Sequence, residues 1–122
     1  MTSSAVVIDR FLTPAHAAAD SDIEQWQTEG VQQTPGADAW CRLLVPRVCA
    51  HSYRIRFLAY GPPAVIAAAD WLCEQVERDG IDVMARIKPD DVAAALDLAA
   101  SERHIGILVI DALATAASNL GR

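Results

Sequence analysis

Clustered positive charge is the first feature that this sequence lacks. The chain carries 10 Lys and Arg residues against 16 Asp and Glu residues, for a formal net charge of −6, and no stretch gathers four or more basic residues. Nucleic acids and anionic membrane surfaces are captured mainly through such clusters. The composition therefore argues against both as partners and favours a protein partner.

Paired cysteines and targeting segments are also lacking. The three cysteines, Cys41, Cys49 and Cys73, form no CxxC motif of the kind that indicates a zinc or redox site. The N-terminal apolar run stops at Asp9 with no basic region before it, so we expect no secretory signal. No uninterrupted apolar stretch approaches transmembrane length. We expect a cytoplasmic protein with three reduced, unpaired cysteines.

What the sequence does contain is a hydrophobic majority in a chain of single-domain length. Of its 122 residues, 52% are hydrophobic, which is enough for a sizeable core. We find no internal repeat and no low-complexity linker. The length and composition predict one domain over residues 1–122.

The first predicted elements are a short helix and an edge strand. SSAVVIDRFL (3–12) begins with serines that can cap a helix, and Pro14 ends it. EQWQTEGVQ (24–32) is typical of an edge strand with Trp26 turned inward. The side chains of the helix that we place on the core side are Val6, Val7, Phe11 and the stem of Arg10.

Two antiparallel strands are predicted over 39–46 and 52–60. In the second, apolar and polar residues alternate, which predicts one buried face and one exposed face. The buried face would carry Tyr53, Ile55 and Phe57, and the exposed face Arg54 and Arg56. The segment PRVCAHS between the strands predicts a loose hairpin turn near Cys49.

Three helices are predicted in the second half of the chain. The first, PPAVIAAADWLCEQVERDG (62–80), starts with proline in its first turn and ends at Gly80. The second starts at Pro89, and the third (101–122) is expected to be capped by Ser101. The apolar positions at helical spacing are Val65, Ala68, Ala69, Leu72 and Val76 in the first helix, and Ile105, Leu108, Val109, Ala112 and Ala116 in the last.

The order of the predicted elements gives the fold class. A run of two or three antiparallel strands followed by a run of helices predicts an α+β domain, with the helices packed on one face of a small sheet. Ile107 and Ile110 widen the apolar stripe of the last helix, which indicates either deep burial or an interface.

Three stretches together resemble one known family. VVIDRFLTP (6–14), YGPPAVIAAAD (60–70) and RHIGILVIDALATAA (103–117) are similar to the opening helix, the cysteine loop and the last helix of iron–sulfur cluster scaffolds of the IscU/NifU N-terminal type. The three matches lie in the family's order and span nearly the whole chain. The resemblance implies the SufE/NifU-like α+β fold.

The resemblance also implies a cluster site whose ligands are missing here. Family members hold a [2Fe–2S] cluster, or zinc, on three cysteines, because thiolates are soft, anionic donors, and an aspartate and a histidine assist. In this sequence the three cysteine positions fall on Ala37, Pro62 and Ile105, and the aspartate position falls on Ala39. The histidine alone is retained, as His104.

Two further differences from the family lie close to these positions. Asp38 is next to the family's aspartate position, but one step along a strand turns a side chain to the opposite face. LAASERH (98–104) replaces the family's Leu-Pro-Pro-Val-Lys-type loop, which chaperones recognise.

The resemblance with its missing ligands predicts a non-enzymatic pseudo-scaffold. Such a protein would bind no cofactor and would act through contacts with a cysteine desulfurase or another cluster-assembly protein. Two alternatives stay open. The first is a weak metal or sulfur carrier that uses His104, Asp38 and a non-family thiol such as Cys49. The second is a self-associating structural module that forms a homo-oligomer through its apolar last helix and the small-residue helix AVIAAAD (64–70).

Each remaining candidate residue also has a structural interpretation, which we favour. A lone histidine such as His104 is more often an exposed helix residue than a metal ligand. Cys41 and Cys73 fit a buried strand and a packed helix, so Cys49 is the best candidate for an accessible thiol. The other candidates are the Asp90–Asp91 pair, interpreted as a helix start, and Trp26, Trp40 and Trp71, interpreted as core or interface anchors.

Overall fold

A computed structural model describes residues 4–18, 26–33, 39–46, 55–80 and 86–120. The elements in these ranges are α1 (Ala5–Leu12), β1 (Trp26–Gln33), β2 (Trp40–Pro46), β3 (Arg56–Tyr60), α2 (Pro63–Asp79), α3 (Pro89–Leu96), a 3-10 turn (Ala100–Glu102) and α4 (His104–Leu120). This order confirms the predicted α+β class.

The three strands form one antiparallel sheet in the order β1-β2-β3. Leu43 in the middle strand faces Gly30 on one side and Phe57 on the other. The predicted hairpin of the second and third strands is therefore confirmed. Ile55 and Phe57 are buried, as the alternation predicted.

The helices cover the sheet face that carries Cys41, Leu43 and Phe57. Helix α2 packs on β2 and β3, and α4 packs on β1 and β2. All of the apolar positions predicted for α2 and α4 are buried in one core cluster with these strand residues, because a helix that packs on a sheet buries the stripe repeating every three to four residues. Leu44, on the opposite face of β2, is also fully buried.

The core face of α1 was predicted too broadly. Ser4 caps the helix as expected, since its hydroxyl oxygen accepts a hydrogen bond from the Val7 N–H at 3.2 Å. Of the predicted core residues, however, Val7 alone is buried, whereas Val6 is 42% and Phe11 38% exposed. An eight-residue helix that packs mainly on one neighbouring helix, α2, buries only one narrow stripe.

Two local predictions are wrong for identifiable reasons. The last helix does not begin directly after Ser101 but at His104, and Ser101 lies in the 3-10 turn that precedes α4. In this turn the Glu102 carboxylate accepts a hydrogen bond from the Ala99 N–H. Arg56 is not freely exposed, since its side chain retains 18% of its accessible surface and pairs with Glu77 of α2. The polar side of β3 therefore carries an ion pair to a helix.

Several predicted features lie outside the described residues. They are the positions of Ala37, Asp38, Cys49, Tyr53 and Arg54, and the orientation of the Trp26 side chain.

Candidate functional site

The loop between β3 and α2 lies directly against the start of β2. Gly61 has φ +142°, and a Cβ built on it would lie 2.9 Å from Cβ of Ala39 and 3.0 Å from Cγ2 of Val65. Real Cβ atoms do not approach this closely, and a side chain at this φ is strained. Glycine is therefore required here, and it places Ala39 next to the loop that carries Pro62.

Pro62 stands immediately before helix α2. It adopts an extended conformation with ψ 159° and gives the helix no side-chain cap. Proline offers neither a thiol nor a backbone N–H. Tyr60, two residues before it, is 59% exposed, and Pro62 is itself exposed. The loop presents an apolar surface where the family resemblance implies a ligand.

The start of α4 is fixed against the start of α3. A Cβ on Gly106 would lie 2.9 Å from the Pro89 carbonyl oxygen, so the two helices meet through backbone. Ile105 beside it is 1% exposed and belongs to the same core cluster as Ala39. His104 is exposed at the first position of the helix.

Two of the predicted positions are adjacent, since Ala39 lies beside the loop that carries Pro62. Ile105 belongs to the core cluster that includes Ala39, but this cluster extends through the whole domain. Since Ala37 lies outside the described residues, the meeting of all five positions stays a prediction. Within the described ranges, no three His, Cys, Asp or Glu side chains are grouped so that they could hold a metal ion.

The two described thiols are held in their protonated form. Burial raises the pKa of Cys41 to about 12. Burial likewise raises the pKa of Cys73 well above its ordinary value, and Cys41, Asp70 and Glu77 raise it further. Because both thiols are buried and protonated at neutral pH, neither presents the accessible thiolate that a family cysteine supplies.

We expect Cys49 to react fastest with a thiol reagent in the native protein. Cys41 and Cys73 are free and buried and should react at least about tenfold more slowly, because reaction requires an exposed thiolate. Labelling with a maleimide, followed by mass spectrometry of the peptides, checks this order. Equal rates for all three in urea provide the control, and faster native labelling of Cys41 or Cys73 would contradict it.

A buried charge that the sequence analysis did not single out lies on α2. Asp70 is 3% exposed, and both of its carboxylate oxygens are engaged. Oδ2 accepts a hydrogen bond from Arg10 Nη1 at 2.8 Å, and Oδ1 accepts one from the His16 backbone N–H at 2.9 Å. His16 Nδ1 lies 3.1 Å from the same Oδ1. A buried carboxylate requires such partners.

The contacts continue along the helix toward its C-terminal end. Arg10 also donates to Glu74 at 2.9 Å, and Nε2 of His16 lies 3.4 Å from Glu77. Glu77 in turn accepts hydrogen bonds from Arg56 and from the backbone N–H of Ile55. This charged network connects α1, the residues after α1, α2 and β3.

The sequence contained a signal for this network. Asp70, Glu74 and Glu77 recur at helical spacing, and Asp70 stands among residues predicted to be core. A carboxylate within an apolar stripe needs a cation or several donors. Its partners are 54 and 60 positions away in the chain, so spacing alone could not identify them.

The structure defines a small α+β domain whose helices cover one face of a three-stranded antiparallel sheet. The family model of the NifU-like N terminal domain matches residues 2–121. The chain therefore belongs to the NifU-like N-terminal domain family, which confirms the resemblance drawn from the three sequence stretches.

A solved structure supports the same fold. A crystal structure from the thermophile Fervidobacterium islandicum AW-1, described as a candidate iron–sulfur cluster assembly scaffold protein for the SUF system, matches with a TM-score of 0.62. The match has 10% sequence identity and covers 93% of this chain and 94% of that chain. At this identity the similarity shows the fold alone. No curated protein matches the sequence.

None of the helices in the described part of the chain is long and apolar enough to cross a membrane.

Proposed function

We propose that this chain is a cytoplasmic, non-enzymatic pseudo-scaffold of iron–sulfur cluster assembly, which binds no cluster and acts through protein contacts. The observation that carries the proposal is the replacement of the ligand set in a chain that belongs to the NifU-like family. Ala39, Pro62 and Ile105 have no side-chain donor atom, and Ala39 and Ile105 are buried. His104 alone would leave most coordination positions of an iron ion to water.

The closed packing around Ala39 supports the loss of metal binding. Ala39 is 3% exposed and packs beside Gly61, so in the unmodified chain this position offers an ion neither a donor atom nor an accessible surface. The two described thiols, Cys41 and Cys73, offer no accessible replacement, because both are buried and burial raises the pKa of each. The proposal therefore does not depend on the missing cysteines alone.

The exposed apolar residues support a role in protein contacts. Tyr60 and Ile107 are 59% and 51% exposed, and Pro62 is exposed. Large apolar and rigid side chains lose little conformational entropy when a partner covers them. We propose a cysteine desulfurase as the partner, since docking depends on the shape and surface of the fold and not on the cluster ligands.

Competition with a ligand-bearing scaffold tests the proposed function. We expect the chain to displace a NifU-like scaffold from a cysteine desulfurase in a pull-down titration, and to contain no iron after anaerobic incubation with iron and sulfide. The control is Tyr60→Asp with Ile107→Asp, two exposed substitutions that should weaken displacement by about tenfold or more because a charge disfavours the buried centre of an interface.

Other outcomes would contradict the proposal. Stable, stoichiometric cluster binding by the unmodified chain would show a carrier in place of a pseudo-scaffold. No displacement, together with dimers that dissociate on dilution in size-exclusion chromatography, would favour the self-associating module.

A further inference from the structure

The residues that follow α1 cover the outer edge of β3. Ala17 pairs with Phe57 in a parallel bridge, the Phe57 N–H donates to the His16 carbonyl at 3.0 Å, and the Ala18 N–H donates to the Phe57 carbonyl at 2.8 Å. We call residues 15–18 the strap. It extends the three-stranded sheet by one short segment on the side away from β2.

Hydrophobic burial contributes little to holding the strap. None of its four residues is buried, and Ala15 and Ala17 are exposed. In α1, which leads into it, Val7 is the one buried residue. Burial of one valine side chain contributes only a small hydrophobic stabilisation, so most of the attachment comes from polar contacts.

The polar contacts of the strap converge on Asp70. One carboxylate oxygen accepts a hydrogen bond from the backbone N–H of His16 at 2.9 Å and lies 3.1 Å from Nδ1 of the His16 ring. The other oxygen accepts a hydrogen bond from Arg10 of α1 at 2.8 Å. Burial by itself lowers the pKa of Arg10, but its hydrogen bonds to Glu74 and Asp70 outweigh burial and raise that pKa, so the arginine stays charged.

The position of Asp70 makes these contacts strong. Its side chain is 4% exposed, and a hydrogen bond to an ionised group is roughly twice as strong as a neutral one. In such a site solvent and salt screen the charge only weakly. The buried carboxylate of Asp70 on α2 therefore binds both Arg10 near the end of α1 and His16 of the strap.

We propose that the strap dissociates from the edge of β3 as a unit while the core stays folded, and that electrostatic contacts with Asp70 hold it in place. The groups that Asp70 holds are Arg10 and His16. Opening leaves the N–H and C=O of Phe57 without their strap partners at the sheet edge. This conformational device is independent of the proposed docking to a desulfurase.

Amide hydrogen exchange measured by NMR can isolate the opening of the strap. Successive residues of an antiparallel strand point their N–H groups to opposite edges. The Phe57 N–H faces the strap, whereas Leu58, paired with Arg42, faces β2. Phe57 thus reports on the strap, and its neighbour reports on the sheet.

We expect Asp70→Asn to raise the exchange rates of Phe57 and Ala18 at least tenfold and to leave that of Leu58 within about twofold. Asparagine keeps the shape and one acceptor oxygen of aspartate but removes its charge. Asp111→Asn, which neutralises an exposed carboxylate on α4, is the matched control and should change none of the three rates.

Two results would overturn the proposal. Equal acceleration of Phe57 and Leu58 would mean that the strap opens only with the whole sheet. Unchanged rates in a folded Asp70→Asn protein would mean that charge does not hold it. If that variant does not fold, His16→Ala removes the ring contacts to Asp70 and Glu77 but keeps the backbone bonds. It should raise the Phe57 rate about threefold or more with Leu58 unchanged, and the same two results would overturn the proposal.

Discussion

The quadruple variant Ala37→Cys, Ala39→Asp, Pro62→Cys and Ile105→Cys is expected to take up iron and sulfide and to bind at least a weak cluster, whereas the unmodified chain binds none. The substitutions restore the three thiolates and the carboxylate that the family resemblance implies, and thiolates are the donors that iron–sulfur clusters require. Anaerobic reconstitution, read by visible absorbance and by iron and sulfide analysis, measures the uptake.

A triple variant that carries the three cysteines but retains Ala39 tests uptake without changing the packing of Ala39. It keeps the buried contact beside Gly61. The quadruple variant in which serine replaces cysteine at the same three positions is the matched control and should bind no cluster. If circular dichroism shows folded protein but neither cysteine variant takes up iron, the three positions do not converge.

Ala39→Asp by itself is expected to destabilise the fold by about 3–5 kcal/mol at neutral pH, as an unpaired buried charge does. Ala39 is 3% exposed, and its Cβ lies so close to Gly61 that a Cβ on the glycine would meet it at 2.9 Å. The new carboxylate would have neither water nor a free position in the packing. Urea unfolding, followed by circular dichroism, gives the change in the free energy of unfolding.

The pH dependence of this loss of stability distinguishes the effect of the buried charge from the effect of the larger side chain. Burial raises the pKa of a carboxyl group above the value of about 3.9 in the unfolded chain, so the folded variant binds more protons than the unfolded one. Its stability relative to the unmodified chain should therefore fall as pH rises from 5 to 8. Ala39→Asn, of similar size but neutral, should show a loss that does not change with pH. A pH-independent loss in the aspartate variant would contradict the assignment to buried charge.

The regular elements could be predicted because their signal is local. The period of the apolar residues in α2, with Pro63 at its start and Gly80 at its end, is contained within one stretch of sequence. The same holds for the alternation that buries Ile55 and Phe57. Hydrophobic periodicity and capping need no knowledge of the tertiary partner.

The errors arise where a distant partner decides the outcome. Arg56 follows the polar period of its strand, yet its ion pair with Glu77 holds its side chain against α2. Phe11 follows the apolar period of α1, but a helix of this length has too little contact area to bury it. In the candidate site, too, local signals could be predicted and tertiary contacts could not. The motifs indicate the loss of ligands at Pro62 and Ile105, whereas the contact between Ala39 and Gly61 is visible only in the folded backbone.

The packing of α4 has a consequence during synthesis on the ribosome. This helix covers β1 and β2, yet it begins at His104, well after β2 ends at Pro46. At a translation rate of roughly 5–20 residues per second, the gap between them corresponds to about 3–12 s. During that interval the apolar face around Leu43 has no α4 to cover it, so the nascent chain passes through a stage at which chaperones and aggregation compete with folding.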